Sequence, residues 1–459
     1  MTRKRKKRPL KKIQWRIEYG AFLLVENVIR LFSIAAIWRT GARLSGLARF
    51  FAGRRNIVRS NLRTVLGLEA SEAELDRLTG EVFRHTSANL LTALKGAQLP
   101  GHLVRETITY EGEGILENAI AAGKGVIILS AHMGNFELLT QALGAFRPEL
   151  KVAGIYRPLN NIHINRIMRK RRARRGMKLF AKLTSYHGPI KWVRNQGILG
   201  IIADQRAGRV GTITPFFGRL MSMSPLPAFI HRHTGASIIG VSMETMAPGR
   251  WKVAFHSPAL AAGEEFTAAH MARLLERMIR RSIIDVFWLQ DLYRYNEKRP
   301  LEIPGRKGPL RLAHDRDRPL HPFSVLVRVP DNPAELTHTI PALDALVASR
   351  PDLDLHLLAR ERVREASRQT GIPHTFHSIE EDQPLSHLRL AIALTSRERE
   401  ARELIRHCEG LCYAVPEALQ GGHNWRPIPV GENMAPSERW LEACRSLGMH
   451  DPPLEWTYA

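Results

Sequence analysis

The segment Gly125-Val-Ile-Ile-Leu-Ser-Ala-His-Met-Gly-Asn-Phe-Glu137 constrains the fold of this chain more than any other. Val126 to Leu129 is a short apolar run bounded by Gly125, so it reads as a buried strand. An apolar helical pattern starts at Glu137, and Gly134 and Asn135 are suitable turn residues between the two. A strand that enters a turn and then a helix is the building unit of α/β folds. The same unit leaves His132 at the exposed end of a strand, with Glu137 five positions further on. An imidazole titrates near neutral pH and a carboxylate stabilises its charged form, so such a pair can take a proton from an alcohol. Positions five apart on a regular helix are about 140° apart around its axis. The pairing therefore requires His132 to sit in the turn before the helix.

Further strand candidates are Val152–Tyr156, Ile198–Ala203, Ser237–Met243 and Trp251–Phe255, with helical segments between them. This alternation predicts an α/β domain around a mixed or mostly parallel sheet flanked by helices. Ligands of such sheets bind at the carboxyl ends of the strands. His132, Arg157 and Asp204 each lie just past the end of a predicted strand, which puts them on one rim. Met221, Met223, Leu226 and Phe229 are either lining for an apolar groove or core.

A chain of 459 residues is too long for one ordinary domain, and two are expected. Its three cysteines make no disulfide framework and fit a reducing compartment. The net charge of +24 is unevenly spread: residues 1–320 carry +30 and residues 321–459 carry −6, with no lysine in the latter. So strong a positive balance favours a polyanionic partner, whether nucleic acid, an anionic membrane or a phosphorylated glycolipid. A second basic cluster, Arg166, Arg169, Lys170, Arg171, Arg172, Arg174 and Arg175, falls on a predicted helix. It is either a solvated face or a landing surface for phosphates or an acidic carrier protein, since the guanidinium fork can grip two oxygens at once. No aromatic residues interleave with it, which argues against nucleic acid.

Residues 3–16 hold nine basic side chains and no acid, and an apolar stretch from Tyr19 to Trp38 follows. That stretch is long enough to cross a bilayer. Glu26, Arg30 and Ser33 mark it with one polar stripe, so a tilted or interfacial anchoring helix is expected. The basic arm would hold it against anionic headgroups on the cytoplasmic leaflet.

At His132-Met-Gly-Asn-Phe-Glu137 the chain resembles the lipid A biosynthesis acyltransferases of Gram-negative bacteria, within the wider His-x4-Asp/Glu lysophospholipid acyltransferase superfamily. Further similar blocks follow in order: Ile155-Tyr-Arg-Pro-Leu-Asn-Asn161, Ala203-Asp-Gln-Arg-Ala-Gly208, Thr214-Pro-Phe-Phe-Gly-Arg219 and His233-Thr-Gly-Ala236, preceded by Arg54–Leu62. The resemblance covers roughly residues 17–297 and implies O-acyl transfer from an acyl thioester, on acyl carrier protein or coenzyme A, to a hydroxyl of a lipid A precursor or related glycolipid. His132 would be the general base and Glu137 its orienting carboxylate. Arg157, Asp204, Gln205, Arg169, Arg172, Gly134, Asn135, Phe216, Phe217 and Gly218 would contact substrates, and an oxyanion would be met by backbone N–H groups near Gly134 or by Arg157. The resemblance implies no metal and no cofactor, and it implies the cytoplasmic face of the inner membrane as the location. It leaves a phosphatidylinositol mannoside or a lysophospholipid as alternative acceptors. The basic string that closes the family's domain is thinned here to Trp288-Leu-Gln-Asp-Leu-Tyr-Arg294.

The expected organisation is a basic arm over 1–16, an acyltransferase domain over 17–297 with an anchoring helix at about 19–38, a Pro/Gly-rich linker over 298–322, and a Rossmann-like domain over 323–459. Within the last, Phe323–Val329, Ile340–Val347 and Leu353–Leu358 form one predicted βαβ unit. Val327–Leu343 and Met434–Gly448 resemble parts of the first half of the lipopolysaccharide heptosyltransferases. Ala334-Glu335 stands where that family has Gly-Asp, which implies a degenerate, non-catalytic module. A non-catalytic adaptor and a bifunctional acyl/glycosyltransferase are the competing classes.

Overall fold

The computed structural model describes residues 9–46, 52–67, 70–96, 98–181, 186–261, 263–293, 296–303, 311–312, 320–381, 385, 388, 390–408, 411–419, 425–431, 434–449 and 457–458. Most of the basic arm, Arg3 to Arg8, and much of the expected linker lie outside the described residues. The chain divides into two compact units, residues 1–217 with 223–292, and residues 218–222 with 293–459.

The first unit opens with four helices, α1 (Pro9–Arg30), α2 (Ile34–Leu44), α3 (Ala52–Leu66) and α4 (Glu72–Gly96). The single anchoring helix expected over 19–38 is two helices. The first starts ten residues earlier, and the chain breaks at Leu31–Ser33, where the Ser33 hydroxyl accepts the Ala36 N–H and caps α2. A serine in the capping position satisfies an N–H that the helix itself leaves unpaired, so it favours a new helix start. No helix among the described residues is long and apolar enough to cross a membrane. Gly41 lets α2 approach α4 closely: a Cβ there would stand 2.7 Å from the Ala88 Cα.

Helices α5 (Gly101–Thr107) and α6 (Glu113–Ala121) lead into the sheet, followed by α7 (Phe136–Phe146), α8 (Ile162–Arg172), α9 (His187–Arg194), α10 (Leu226–Thr234) and α11 (Ala268–Arg281). The strands up to residue 256 are β1 (Ile108–Glu111), β2 (Val126–Ser130), β3 (Val152–Tyr156), β4 (Lys178–Ala181), β5 (Ile198–Ile202), β6 (Thr212–Phe216), β7 (Arg219–Met223), which but for Met223 belongs to the second unit, β8 (Ser237–Ala247) and β9 (Arg250–His256). Seven of them form one sheet in the order β1-β9-β8-β2-β5-β3-β4. Every pairing is parallel except β8 with β9. Central β2 is buried at every position, which is why its sequence is an unbroken apolar run and not an alternating one. The fold is thus α/β, mostly parallel, with helices on its faces.

The second unit holds β10 (Arg311–Leu312) paired in parallel with β17 (Thr457–Tyr458), and a six-stranded sheet. The six strands are β11 (Phe323–Arg328), β12 (Leu353–Ala359), β13 (Thr375–Ser378), β14 (Leu390–Ala393), β15 (Leu411–Ala414) and β16 (Trp425–Pro427). Their order is β13-β12-β11-β14-β15-β16 and all pairs are parallel. Counted from the first strand this is 3-2-1-4-5-6, the order of a doubly wound nucleotide-binding sheet. Helices α12 (Pro333–Leu336), α13 (Ile340–Ser349), α14 (Arg364–Arg368), α15 (Glu398–His407) and α16 (Pro436–Ser446) complete the unit. Leu326, Val327, Leu343, Leu346 and Leu357 lie at its core.

Candidate functional site

Strands β2 and β5 are neighbours and run in the same direction, so the residues that follow them emerge side by side. His132 follows β2 and Asp204 follows β5. The His132 Nδ1 lies 2.7 Å from Asp204 Oδ1, and the His132 backbone N–H donates to Oδ2 at 2.9 Å. One carboxylate therefore fixes both the ring and the main chain of the histidine. A hydrogen bond from Nδ1–H to Asp204 leaves Nε2 as the basic nitrogen. The Gln205 side-chain nitrogen is 3.2 Å from Nε2 and 3.3 Å from Nδ1. Phe136 meets the imidazole edge-on, with ring centroids 5.1 Å apart.

Burial works to depress the basicity of His132. The charge and hydrogen bond of Asp204 outweigh it, Glu137 adds to Asp204, and Arg172 subtracts, so the imidazole is held above its ordinary value. The expected contact between Glu137 and His132 is replaced by another. The Glu137 carboxylate accepts from Arg172 Nε at 3.0 Å and from Arg172 Nη2. Glu137 sits in the first turn of α7 and faces α8, so it acts on His132 through charge.

The turn that carries His132 is built from buried backbone bonds. Gly134 adopts φ +56°, and a Cβ there would lie 2.3 Å from the Met243 carbonyl oxygen, so only glycine fits. Its N–H donates to the Asp285 carbonyl at 2.9 Å, and the Phe287 N–H donates to the His132 carbonyl at 2.8 Å. The Met133 N–H is likewise taken, by the Ala131 carbonyl. The N–H groups of residues 132 to 134 are therefore already committed. Asn135 is buried and caps α7, accepting the Leu138 N–H at 3.1 Å and donating to Thr92 at 3.3 Å.

Asp285, which anchors that turn, is itself buried. Its carboxylate receives Asn89 (3.3 Å), both the hydroxyl and N–H of Thr245 (2.6 and 2.7 Å) and Ser282 (2.8 Å), and pairs with His85 Nδ1 at 2.9 Å. Burial pushes its acidity down, but the His85 bond and charge and the Thr245 bonds prevail and hold it below the usual carboxylate value. No sequence signal pointed to this network, because its members come from α4, β8 and the segment after α11. The wall beside it was more legible. Asn61, in the Arg54–Leu62 block, donates to the carbonyls of Trp288 (2.9 Å) and Gln290 (2.7 Å), and Arg54 donates to that of Leu289 (2.9 Å).

His132, Asp204 and Gln205 open into a narrow pocket lined also by Phe216, Ile279, Trp288, Gln290 and Leu292. It holds about 10 Å³, room for one water. Phe217 is buried beside it at φ +49°, its N–H donating to Glu276 at 2.7 Å. Gly218 belongs to the second unit, and Met221 and Met223 are buried. Arg157 stands exposed after β3, and neither it nor Arg169 lines this pocket.

The rim of the second sheet has a different character. Arg328, at the end of β11, is fully buried and donates to both oxygens of Asp331 at 2.9 Å and to Glu403 at 2.6 Å. Arg397 pairs with Glu335 at 2.6 Å and with Glu400 at 3.1 Å.

The profile of the bacterial lipid A biosynthesis acyltransferases matches residues 3–295, well over half of the chain. The lipid A biosynthesis palmitoleoyltransferase of Escherichia coli (strain K12) is 25% identical over 255 residues, 54% of this chain and 82% of that protein. The lipid A biosynthesis acyltransferase of Shigella flexneri aligns with the same identity and coverage. Among solved structures, the E. coli heptosyltransferase WaaC with ADP matches 30% of this chain at 16% identity with a TM-score of 0.24. The chain spans about half the length of that neighbour, and a likeness so slight carries no argument about fold or activity. On the family match, the chain is an acyltransferase belonging to the bacterial lipid A biosynthesis acyltransferase family.

Proposed function

We propose that this acyltransferase moves a fatty acyl chain from a thioester, on acyl carrier protein or coenzyme A, to a hydroxyl of a lipid A precursor at the cytoplasmic face of the inner membrane. The 2.7 Å bond between His132 Nδ1 and Asp204 carries the reading. It directs Nε2 toward the pocket as a general base while Asp204 stabilises the imidazolium that forms. The acceptor hydroxyl gives its proton to Nε2 as its oxygen attacks the thioester carbonyl. The tetrahedral intermediate then expels the thiolate, which takes the proton back from His132. The side-chain amides of Gln205 and Gln290 line the pocket and can donate to the oxyanion, as can N–H groups in the first turn of α7.

Helix α1 supports the membrane part of this reading. Ile13, Ile17, Leu24, Val28 and Leu31 form an exposed apolar stripe, whereas Trp15, Glu26 and Ile29 are buried. A helix with an outward apolar face, bordered here by Lys11, Lys12 and Arg16, lies in the plane of an anionic membrane surface. Mass spectrometry of envelope lipids tests the function. A deletion strain and a His132→Ala strain should lack the same acyl chain, and lipid profiles equal to wild type in either would defeat the proposal.

A further inference from the structure

The seven cations between Arg166 and Arg175 form one run in sequence, but the fold divides them. Arg171 is tied to buried Glu26, and Arg172 to Glu137. Arg174 and Arg175 donate to the carbonyls of Gln98 and Leu99, both at 2.9 Å. These four join α8 and the turn after it to the rest of the first unit. Arg166, Arg169 and Lys170 do none of this. They are exposed, spaced i, i+3, i+4 on one face of α8, and form no ion pair among the described residues. With Ile162, Asn165, Ala173 and Leu179 they line a cleft of about 460 Å³. Three cations held together without a carboxylate repel one another, and an anionic ligand would relieve that repulsion.

We propose that this cleft binds the phosphate headgroup of a membrane lipid. Phosphate chemistry follows from two guanidinium forks beside an ammonium. A lipid source follows from the surroundings. Leu159 and Ile162, at the start of α8, are exposed apolar side chains. The same end of α8 is fastened to α1, where Asn161 donates to the Trp15 carbonyl at 2.9 Å and to Glu18 at 2.9 Å, and Tyr19 meets His163 at 5.4 Å. The cleft therefore adjoins the helix that bears the exposed apolar stripe, and a headgroup held there would have its acyl chains beside apolar surface. The proposal rests on the membrane-facing reading of α1 and not on the role of His132.

Flotation of the full chain with vesicles tests it, comparing phosphatidylcholine alone with phosphatidylcholine containing phosphatidylglycerol. The variant Arg166→Glu/Arg169→Glu/Lys170→Glu is set against a control of equal charge change on the same unit, Arg77→Glu/Lys124→Glu/Lys191→Glu. Each cation near an anionic surface is worth several-fold in binding, so the cleft variant should lose the preference for phosphatidylglycerol by about tenfold or more. The control should lose far less, and His132→Ala should bind as wild type while being inactive. Equal losses in cleft and control variants, at unchanged melting temperature, would show a general field and overturn the site. Binding of purified acyl carrier protein that the cleft variant loses, with vesicle binding intact, would overturn it in favour of a protein partner.

Discussion

At the carboxyl end of the first sheet, His132 has one ring nitrogen held by Asp204 and the other directed at a pocket. At the carboxyl end of the second, Arg328, Asp331, Glu403, Arg397, Glu335 and Glu400 satisfy one another. Both rims lie where parallel sheets place their ligands. The first keeps a basic nitrogen at the pocket, with only the neutral Gln205 amide, at 3.2 Å, beside it. In the second, charge is matched by charge and the buried guanidinium has its donors filled. A charge locked in ion pairs serves the fold, whereas a basic nitrogen facing a pocket beside a neutral amide is available for chemistry. The comparison explains how two sheets of related architecture in one chain can differ so completely in what they offer a substrate.

Four substitutions probe the contrast, from the largest effect to the smallest. Arg328→Met strands Asp331 beside the core and should destabilise the second unit by about 3–5 kcal/mol. Chemical denaturation monitored on the full chain checks this, and the acidic limb of the pH–rate profile should stay in place. His132→Ala should lower kcat by about a hundred-fold or more, because it removes the proposed base. Glu137→Gln should cost less than about tenfold in kcat/KM and move the acidic limb slightly downward, since only a distant charge is lost from the imidazole. Glu335→Gln breaks a largely exposed pair and should change stability by no more than about 0.5 kcal/mol. Acyl transfer should be unaffected by it, and a large fall in transfer would show that the second rim takes part.

The strands legible in the sequence were those in the interior of the sheet. Val126–Ser130, Val152–Tyr156 and Ile198–Ile202 are short apolar runs bounded by turns, and their ends gave the positions of His132, Arg157 and Asp204. Edge strands β1 and β4 carry mixed residues and gave no such signal. What local pattern could not supply was adjacency. β5 lies between β2 and β3 in space although it follows both in sequence, so Asp204, 72 residues from His132, reaches the imidazole while Glu137, five residues away, does not. The same limit hid Asp285. Ser33 was read as part of a polar stripe, whereas its hydroxyl starts a new helix. A capping residue and a stripe residue look alike until the chain direction is known.

The pH dependence of kcat/KM, measured with an acyl-carrier-protein thioester for wild type and Asp204→Asn, addresses the His132–Asp204 pairing most directly. Loss of activity on acidification reports protonation of the base in the free enzyme. Asp204 raises the basicity of His132, so the wild-type midpoint should lie above the ordinary imidazole value of about 6.5. Asp204→Asn removes the charge that favours the imidazolium, so its midpoint should fall to lower pH along with its maximal rate. Acidic limbs that superimpose would contradict the pairing.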